Sequence, residues 1–312
     1  MSRLPASLSL DLDNLWAYKM ARGDPEWQEL ASYLDLAIPR ILESLRRLDL
    51  TATFFVVGQD AALEKNHPAL REIVAAGHEI GSHSYSHDPH FGDFSTEQLL
   101  SEITRAERAI EQATGVSPSG WRSPAFGNPR QLPALLHERG YRYDASSFPT
   151  FLGPIARLYY VFAAGLDQEQ KKKRAGLYGG WGSGFKPLKP HRIHLESGKS
   201  LLEIPITVMP FFRTPIHASY LQYLAGYSEP TARFYFALAL KLCSIGRVAP
   251  SFLLHPTDFL GADDVAELAW FPAMDQKGDV KMKRMLHFLG MLKNRHEVLP
   301  MQAFSHSPAC NR

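Results

Sequence analysis

The chain of 312 residues has few cysteines, almost no excess of charge and no long apolar run. Its two cysteines, Cys243 and Cys310, lie far apart, which argues against a disulfide framework or a thiolate zinc site and fits a reducing compartment. Lysine and arginine number 34 against 32 acidic residues, so nucleic acid is not expected as a partner. No apolar segment suits a signal peptide or a bilayer-spanning helix, and we therefore expect a cytoplasmic protein.

Short strand-like runs alternate with helical patterns along most of the sequence. Residues 51–57 are rich in Thr, Phe and Val, as in a buried parallel strand, whereas apolar residues between 34 and 45 recur at helical spacing. This repetition predicts an α/β fold in which a distorted parallel (β/α) barrel forms a single domain over residues 1–312.

The carboxyl ends of the strands are where such barrels place their chemistry. Four polar residues, Asp13, His83, Arg122 and Asp144, each follow a predicted strand. We expect these four side chains to lie at one end of the barrel.

The segment from about 150 to 192 interrupts this rhythm, and we interpret it as an insertion within the domain. Residues 151–166 are largely apolar and aromatic, and no acidic residue lies between Lys171 and Leu195. Apolar and basic residues in sequence can anchor a protein beside anionic lipid. A peripheral contact with the inner face of a membrane through 151–192 is therefore a hypothesis, alongside a solvated basic surface.

Two histidines four residues apart, His83 and His87, carry the most chemical information in the sequence. At this spacing two imidazoles can converge on one point, either on a helical turn or around a tight loop, and supply two nitrogen ligands to a divalent metal. The pair alone is also compatible with two solvated histidines. A carboxylate ligand nearby favours the metal site.

Asp11 and Asp13 stand at the end of the first predicted strand. Residues two apart in a strand point the same way, so both carboxylates can face one site. They repel each other unless a cation lies between them or an arginine holds one of them. Asp13 would complete an Asp-His-His set around a metal and leave positions open for water and substrate.

Five segments, in order and over most of the chain, resemble those of the polysaccharide deacetylase family, the group with NodB homology. The resemblance is carried by Ser9-Leu10-Asp11-Leu12-Asp13, His83-Ser84-Tyr85-Ser86-His87, Arg122-Ser123-Pro124, Tyr143-Asp144-Ala145-Ser146 and Leu253-Leu254-His255. It implies a NodB-type barrel and an enzyme that hydrolyses a carbon–nitrogen bond other than a peptide bond.

The resemblance also implies a cofactor and a base. Asp13, His83 and His87 would bind a divalent metal, most often zinc in the family, with Co²⁺, Mn²⁺ and Ni²⁺ as alternatives. The metal would polarise the amide carbonyl and lower the pKa of a bound water. Asp11 would take the water proton as general base, and Arg122 would pair with Asp11 and hold it in place.

The leaving amine would receive its proton from His255, the general acid that the resemblance implies. Asp144 and Asp258 are equal candidates for the residue that orients His255. A backbone N–H just after Pro124, that of Ala125 beside Phe126, would help bind the oxyanion.

This sequence departs from the family pattern at two points. The usual adjacent Asp-Asp is here Asp11-Leu12-Asp13, a spacing found in branches that act on lipid-linked sugars, peptidoglycan or other amides. The usual Tyr after the proline is replaced by Ala125-Phe126, which changes the shape of the groove. Long chitin-like polymers are therefore less expected as substrates.

We expect a metal-dependent hydrolase that removes an N-acetyl or N-formyl group from an amino sugar, with a lipid- or nucleotide-linked sugar as one version of the substrate. Two alternatives stay open. One is hydrolysis of a non-sugar linear or cyclic amide, and the other is a non-catalytic carbohydrate- or lipid-binding protein.

Overall fold

The computed structural model describes residues 3–151 and 181–310. Most of the predicted insertion, residues 152–180, therefore lies outside the described residues. The described strands are β1 (Pro5–Asp11), β2 (Thr53–Val56), β3 (Glu79–Ser82), β4 (Gly120–Trp121), β5 (Tyr143–Asp144), β6 (His191–His194), β7 (Ser200–Glu203), β8 (Ser251–Leu254) and β9 (Glu297–Leu299).

Helices follow most of these strands. They are α1 (Leu15–Arg22), α2 (Leu34–Arg47), α3 (Gly58–Ala61), α4 (His67–Ala75), α5 (Thr96–Thr114), α6 (Leu132–Glu138), α7 (Ala218–Tyr227), α8 (Glu229–Gly246), α9 (Gly278–Arg295) and α10 (Met301–Ser305). Among the described helices, none combines the length and the apolarity needed to cross a membrane.

The strands form one sheet in the order β6-β7-β5-β4-β3-β2-β1-β8, with β9 beside β1. Every pairing is parallel except that of β6 with β7. The two ends of the curled sheet approach each other where Ser251 N donates to Thr207 Oγ1 at 2.6 Å. The predicted α/β class and the barrel-like curl of a mainly parallel sheet are confirmed. The antiparallel edge strand β6 begins inside the predicted insertion and ends two residues beyond it.

The apolar stripe of α2 becomes part of the largest core cluster, as its spacing predicts. Leu34, Ile38, Ile41 and Leu45 are all fully buried on the side that faces the sheet. Helix α5 begins with a capping box, in which Ser95 Oγ accepts from Gln98 N and Gln98 Oε1 accepts from Ser95 N.

Register brings the polar residues to one edge of the sheet. Leu10 pairs with Leu254, Ser82 with Trp121 and Trp121 with Asp144, so the residues that follow these strands share one level. Gly120 is needed for this alignment, because a Cβ there would lie 2.1 Å from the ring of Tyr143. The edge so formed is the floor of the candidate site.

Candidate metal centre and active site

Asp13, His83 and His87 meet at the carboxyl ends of β1 and β3. His87 Nε2 lies 3.1 Å and His83 Nε2 3.4 Å from Asp13 Oδ1. One ligand atom from each residue falls within 4.8 Å of the others. The structure thus brings together the three residues predicted as metal ligands.

A backbone contact sets which nitrogen of His83 is free. His83 Nδ1 lies 2.7 Å from the carbonyl oxygen of Arg122. A carbonyl can only accept, so Nδ1 carries the proton and Nε2 keeps a lone pair that points at Asp13. That is the tautomer that a metal ligand requires.

The loop between the two histidines is held in an uncommon backbone conformation. Ser84 and His87 have φ values of 61° and 50°, in the left-handed region. Glu102 on α5 fixes the loop, because its Oε2 accepts from the N–H groups of Tyr85 and Ser86, each at 2.9 Å. The sequence analysis missed Glu102, although an acidic residue within the buried stripe of α5 is a visible signal.

A divalent cation fits this donor set. Asp13 Oδ1 is buried and accepts no hydrogen bond, even though two imidazoles point at it. Burial alone would raise the pKa of Asp13, but His87 and His83, when protonated, hold it well below its ordinary value. A cation at the same point has the same effect on the carboxylate, and one carboxylate with two imidazoles suits zinc and related metals.

Arg122 holds Asp11 beside this centre. Its Nη1 donates to Asp11 Oδ1 at 2.6 Å and to Ser9 Oγ at 3.0 Å, while Nε donates to Ala145 O at 2.9 Å. The arginine is fully buried and the carboxylate nearly so. Asp11 Oδ2 is left 4.0 Å from His83 Nε2, where it faces the metal ligands.

His255 lies just after β8, with two polar partners. Ser219 Oγ is 3.1 Å from His255 Nδ1, and His255 N donates to Asp258 Oδ2 at 2.7 Å. Ser219 also hydrogen-bonds to Asp258, whose pKa is raised by burial. These contacts leave Nε2 of His255 free to meet a substrate.

Among the described residues Asp144 makes no hydrogen bond to His255, whereas Asp258, the other candidate for orienting that ring, contacts both the His255 N–H and Ser219. Asp144 Oδ1 accepts from Ser146 N at 3.0 Å, and its buried Oδ2 has no hydrogen-bond partner. Asp144 instead pairs in register with Glu203 of β7, whose Oε2 is also buried and without a partner. Burial raises the pKa of Asp144 to about 6 and that of Glu203 well above its ordinary value.

The turn after Arg122 runs through Pro124, Ala125 and Phe126, with left-handed φ values of 49° at Ala125 and 59° at Phe126. The N–H of Phe126 donates to Ser123 O at 3.2 Å, which leaves that of Ala125 as the candidate oxyanion donor. The Phe126 ring packs against Phe148 with ring centroids 5.0 Å apart.

Three neighbouring rings connect this turn with His255, the predicted general acid. The ring of Phe148 lies 5.7 Å from that of His217, which lies 6.4 Å from that of His255. Burial, with His255 as a second cause, lowers the pKa of His217 to about 3, so this imidazole is neutral. The sequence analysis left His217 unassigned, because it precedes a helix that the pattern did not reveal.

Asp60 holds the segment that follows β1, and the sequence analysis did not identify it. Its Oδ1 accepts from Asn14 Nδ2 at 2.7 Å and from Trp16 Nε1 at 2.8 Å. The Trp16 ring meets the edge of His87 at 6.4 Å. Burial raises the pKa of Asp60 to about 6.

Comparison with known proteins agrees with the motifs. Residues 33–143 match the family model described as polysaccharide deacetylase. A peptidoglycan deacetylase of Helicobacter pylori is 30% identical over 127 residues, which are 41% of this chain and 41% of that protein. A chitin deacetylase of Colletotrichum lindemuthianum is 35% identical over 89 residues, 28% of this chain and 36% of that protein.

The matched segments therefore span less than half of the length of these relatives. Over nearly the whole chain, a solved structure from Mycobacterium smegmatis assigned to the polysaccharide deacetylases superposes with a TM-score of 0.61 at 19% identity, covering 98% of this chain and 90% of that one. This likeness shows the fold, and the resemblance to the polysaccharide deacetylase family is confirmed.

Proposed function

We propose that the protein is a metal-dependent hydrolase that removes the N-acetyl group of an amino sugar. The observation that carries the proposal is one edge of the sheet that holds an Asp-His-His set, a carboxylate fixed by an arginine and, after the neighbouring strand β8, a histidine whose Nδ1 contacts Ser219. The deacetylase names of the relatives support an N-acylated sugar as the substrate.

Asp13, His83 and His87 would hold the cation, which when bound supplies Lewis-acid activation of the amide carbonyl and of a water molecule. Zinc is the metal we propose, because two imidazoles and one carboxylate form a set that it prefers.

Asp11 acts as the general base through Oδ2, the oxygen that Arg122 does not hold. The Ala125 N–H donates to the oxygen on which negative charge develops. His255 gives the proton on Nε2 to the leaving nitrogen, because an amide nitrogen departs only after protonation. Ser219 keeps the ring in place through Nδ1.

The test is acetate release by the metal-loaded protein from N-acetylglucosamine oligomers and peptidoglycan fragments, followed by N-formyl sugars, a lipid-linked amino sugar and cyclic ureides. Asp11→Asn should retain metal and lose at least about 100-fold in kcat. Asp13→Asn should lose the metal as well. If Asp11→Asn turns over at the wild-type rate under metal saturation, the assigned base is wrong.

The two alternatives are separated by the same panel. Release from cyclic ureides but not from sugars would support hydrolysis of a non-sugar amide. Binding of a sugar without any release, by protein with stoichiometric metal, would support a non-catalytic protein.

A further inference from the structure

Large exposed hydrophobic side chains are concentrated in one part of the described chain. Of the ten that are exposed, seven lie between Phe185 and Ile245. They include Phe211 at 70%, Phe212 at 65%, Phe234 at 70% and Ile245 at 61%, while Phe185 and Tyr227 are more exposed still. Large hydrophobic side chains concentrated on a solvent-exposed surface mark an interaction surface.

The outer side of α8 supplies one half of this surface. Phe234, Leu238 and Ile245 are four and then seven residues apart, so they project from one side of the helix. The last turn of α8 meets the loop that carries the two phenylalanines, because a Cβ on Gly246 would lie 3.6 Å from Pro210. The loop that carries the two phenylalanines therefore adjoins the C-terminal end of the helix, next to Ile245.

The backbone of residues 208–215 forms a loop from which the rings of Phe211 and Phe212 project into solvent. Val208 and Pro215 bridge its base, and Met209 N donates to Thr214 O at 2.8 Å. Phe211 has a φ of 71° and Arg213 one of 54°. Left-handed backbone at non-glycine residues persists only where the surroundings impose it.

Contacts at Arg213 hold that conformation. Thr150 Oγ1 donates to Arg213 O, and Arg213 Nη1 donates to Lys186 O, both at 2.8 Å. The two exposed phenylalanines thus stand on a fixed support.

The charge around this face is of one sign. Between Glu203 and Asp258 the sequence contains a single acidic residue, Glu229. Glu229 is already paired with Arg233 and Arg284. Among the ion pairs of the described residues none includes Lys241 or Arg247, which lie on and just after α8.

We infer that this face, made of Phe211, Phe212, Phe234, Leu238 and Ile245 with Lys241 and Arg247, docks on an anionic lipid bilayer. Aromatic and aliphatic side chains enter the headgroup region while basic residues meet lipid phosphates. A second copy of this chain fits less well, because a symmetric dimer through this face would bring unpaired cations against cations. The inference does not depend on the proposed reaction.

Vesicle sedimentation with the full, metal-loaded chain tests the inference. The probes are vesicles of phosphatidylcholine alone and vesicles that also contain phosphatidylglycerol. Wild-type protein should sediment with the anionic vesicles and much less with the neutral ones. The double variant Lys241→Glu/Arg247→Glu should bind at least roughly 25-fold more weakly, since each basic residue contributes roughly five-fold.

The double variant Phe211→Ser/Phe212→Ser should also lose at least roughly ten-fold in binding. Leu100→Ser, at an exposed leucine of α5, is the matched control and should bind like wild type. Thermal unfolding shows whether each variant is folded. Equal binding to both kinds of vesicle, or wild-type binding by the phenylalanine variant, would overturn the inference, as would a stable dimer that the phenylalanine variant dissociates.

Discussion

The Ser219 side chain connects His255, the proposed general acid, with the buried residues Asp258 and Lys281. Its hydroxyl contacts His255 Nδ1 and Asp258. Behind Asp258 lies Lys281, which is 1% exposed and whose pKa burial lowers to about 8. The ring of His255 is therefore oriented by a short side chain that itself has a fixed support.

Replacement of Ser219 by alanine should lower kcat by about ten-fold with little change in KM, because the ring loses its orientation while the binding surface stays. Steady-state kinetics on the best substrate of the panel measure both constants. Ser219→Thr, which keeps the hydroxyl, should restore most of the rate. Equal loss in both variants would mean that packing, and not the hydroxyl, is what matters at this position.

The sequence predicts the position of a site residue best when that residue belongs to a recognisable motif. The Asp-His-His set and the Asp11–Arg122 pair were assigned from sequence, and their atoms lie together. Ser219 and Asp60 could not be found, because each acts across a long sequence separation and neither stands in a recognisable spacing. Asp144 was one of two equal candidates for orienting His255, and its side chain hydrogen-bonds to Ser146 instead.

At the level of elements, α5 holds the loop of residues 83–87 in place through Glu102. Another acidic residue of this helix, Glu107, pairs with Arg139 at the surface. The two glutamates provide a test on one helix in which only one of them reaches the site.

Glu102→Gln should weaken metal affinity by about ten-fold, because a neutral amide holds the two N–H groups of the loop less strongly than a carboxylate does. Calorimetric titration with zinc measures the change. Glu107→Gln is the matched control and should bind zinc like wild type. A similar loss in both variants would indicate a general effect on α5.

The acidic pair formed by β5 and β7 should make stability depend on pH. Asp144 and Glu203 have pKa values raised by burial, so the folded state holds protons that the unfolded state has already lost. This contribution is complete below about pH 4, the pKa of an unfolded carboxyl. It is lost as the pH rises through the folded values, so this pair destabilises the fold at neutral pH.

Glu203→Gln removes one of the two charges and should therefore gain stability relative to wild type as the pH increases from about 4 to 7, by roughly 1–3 kcal/mol. Denaturant unfolding at several pH values gives the difference in the free energy of unfolding. A difference that does not vary with pH would show that the pKa of Glu203 is not raised in the folded protein.

Elements were predicted well where their periodicity was clear. The strand-like run at 51–57 contains β2, and α2 follows the apolar stripe between 34 and 45. The helix α7 was missed, because aromatic and small residues alternate in it without a clear polar side. The edge strand β6 was missed because its pattern of half-buried and exposed residues lies within a basic segment.

For the whole molecule, the metal should act as a clamp between distant parts of the chain. Its ligands come from the ends of β1 and β3, which β2 separates in the sheet. A ligand that binds only the folded state stabilises it by about 2.7 kcal/mol at 100 times its Kd.

Zinc at that excess should raise Tm by about 5 °C over protein treated with a chelator. Differential scanning calorimetry measures the shift. His87→Ala should show no shift, whereas His90→Ala, a change at a half-exposed histidine beyond the loop, should behave like wild type. A shift that survives in His87→Ala would place the metal elsewhere.

Arg122 contacts both halves of the proposed reaction centre, because its backbone carbonyl accepts from His83 Nδ1 and its side chain donates to Asp11. The spacing between the cation and the base is thereby fixed by one residue at the end of a two-residue strand. A substitution of Arg122 would therefore disturb His83 and Asp11 together, and not one of them alone.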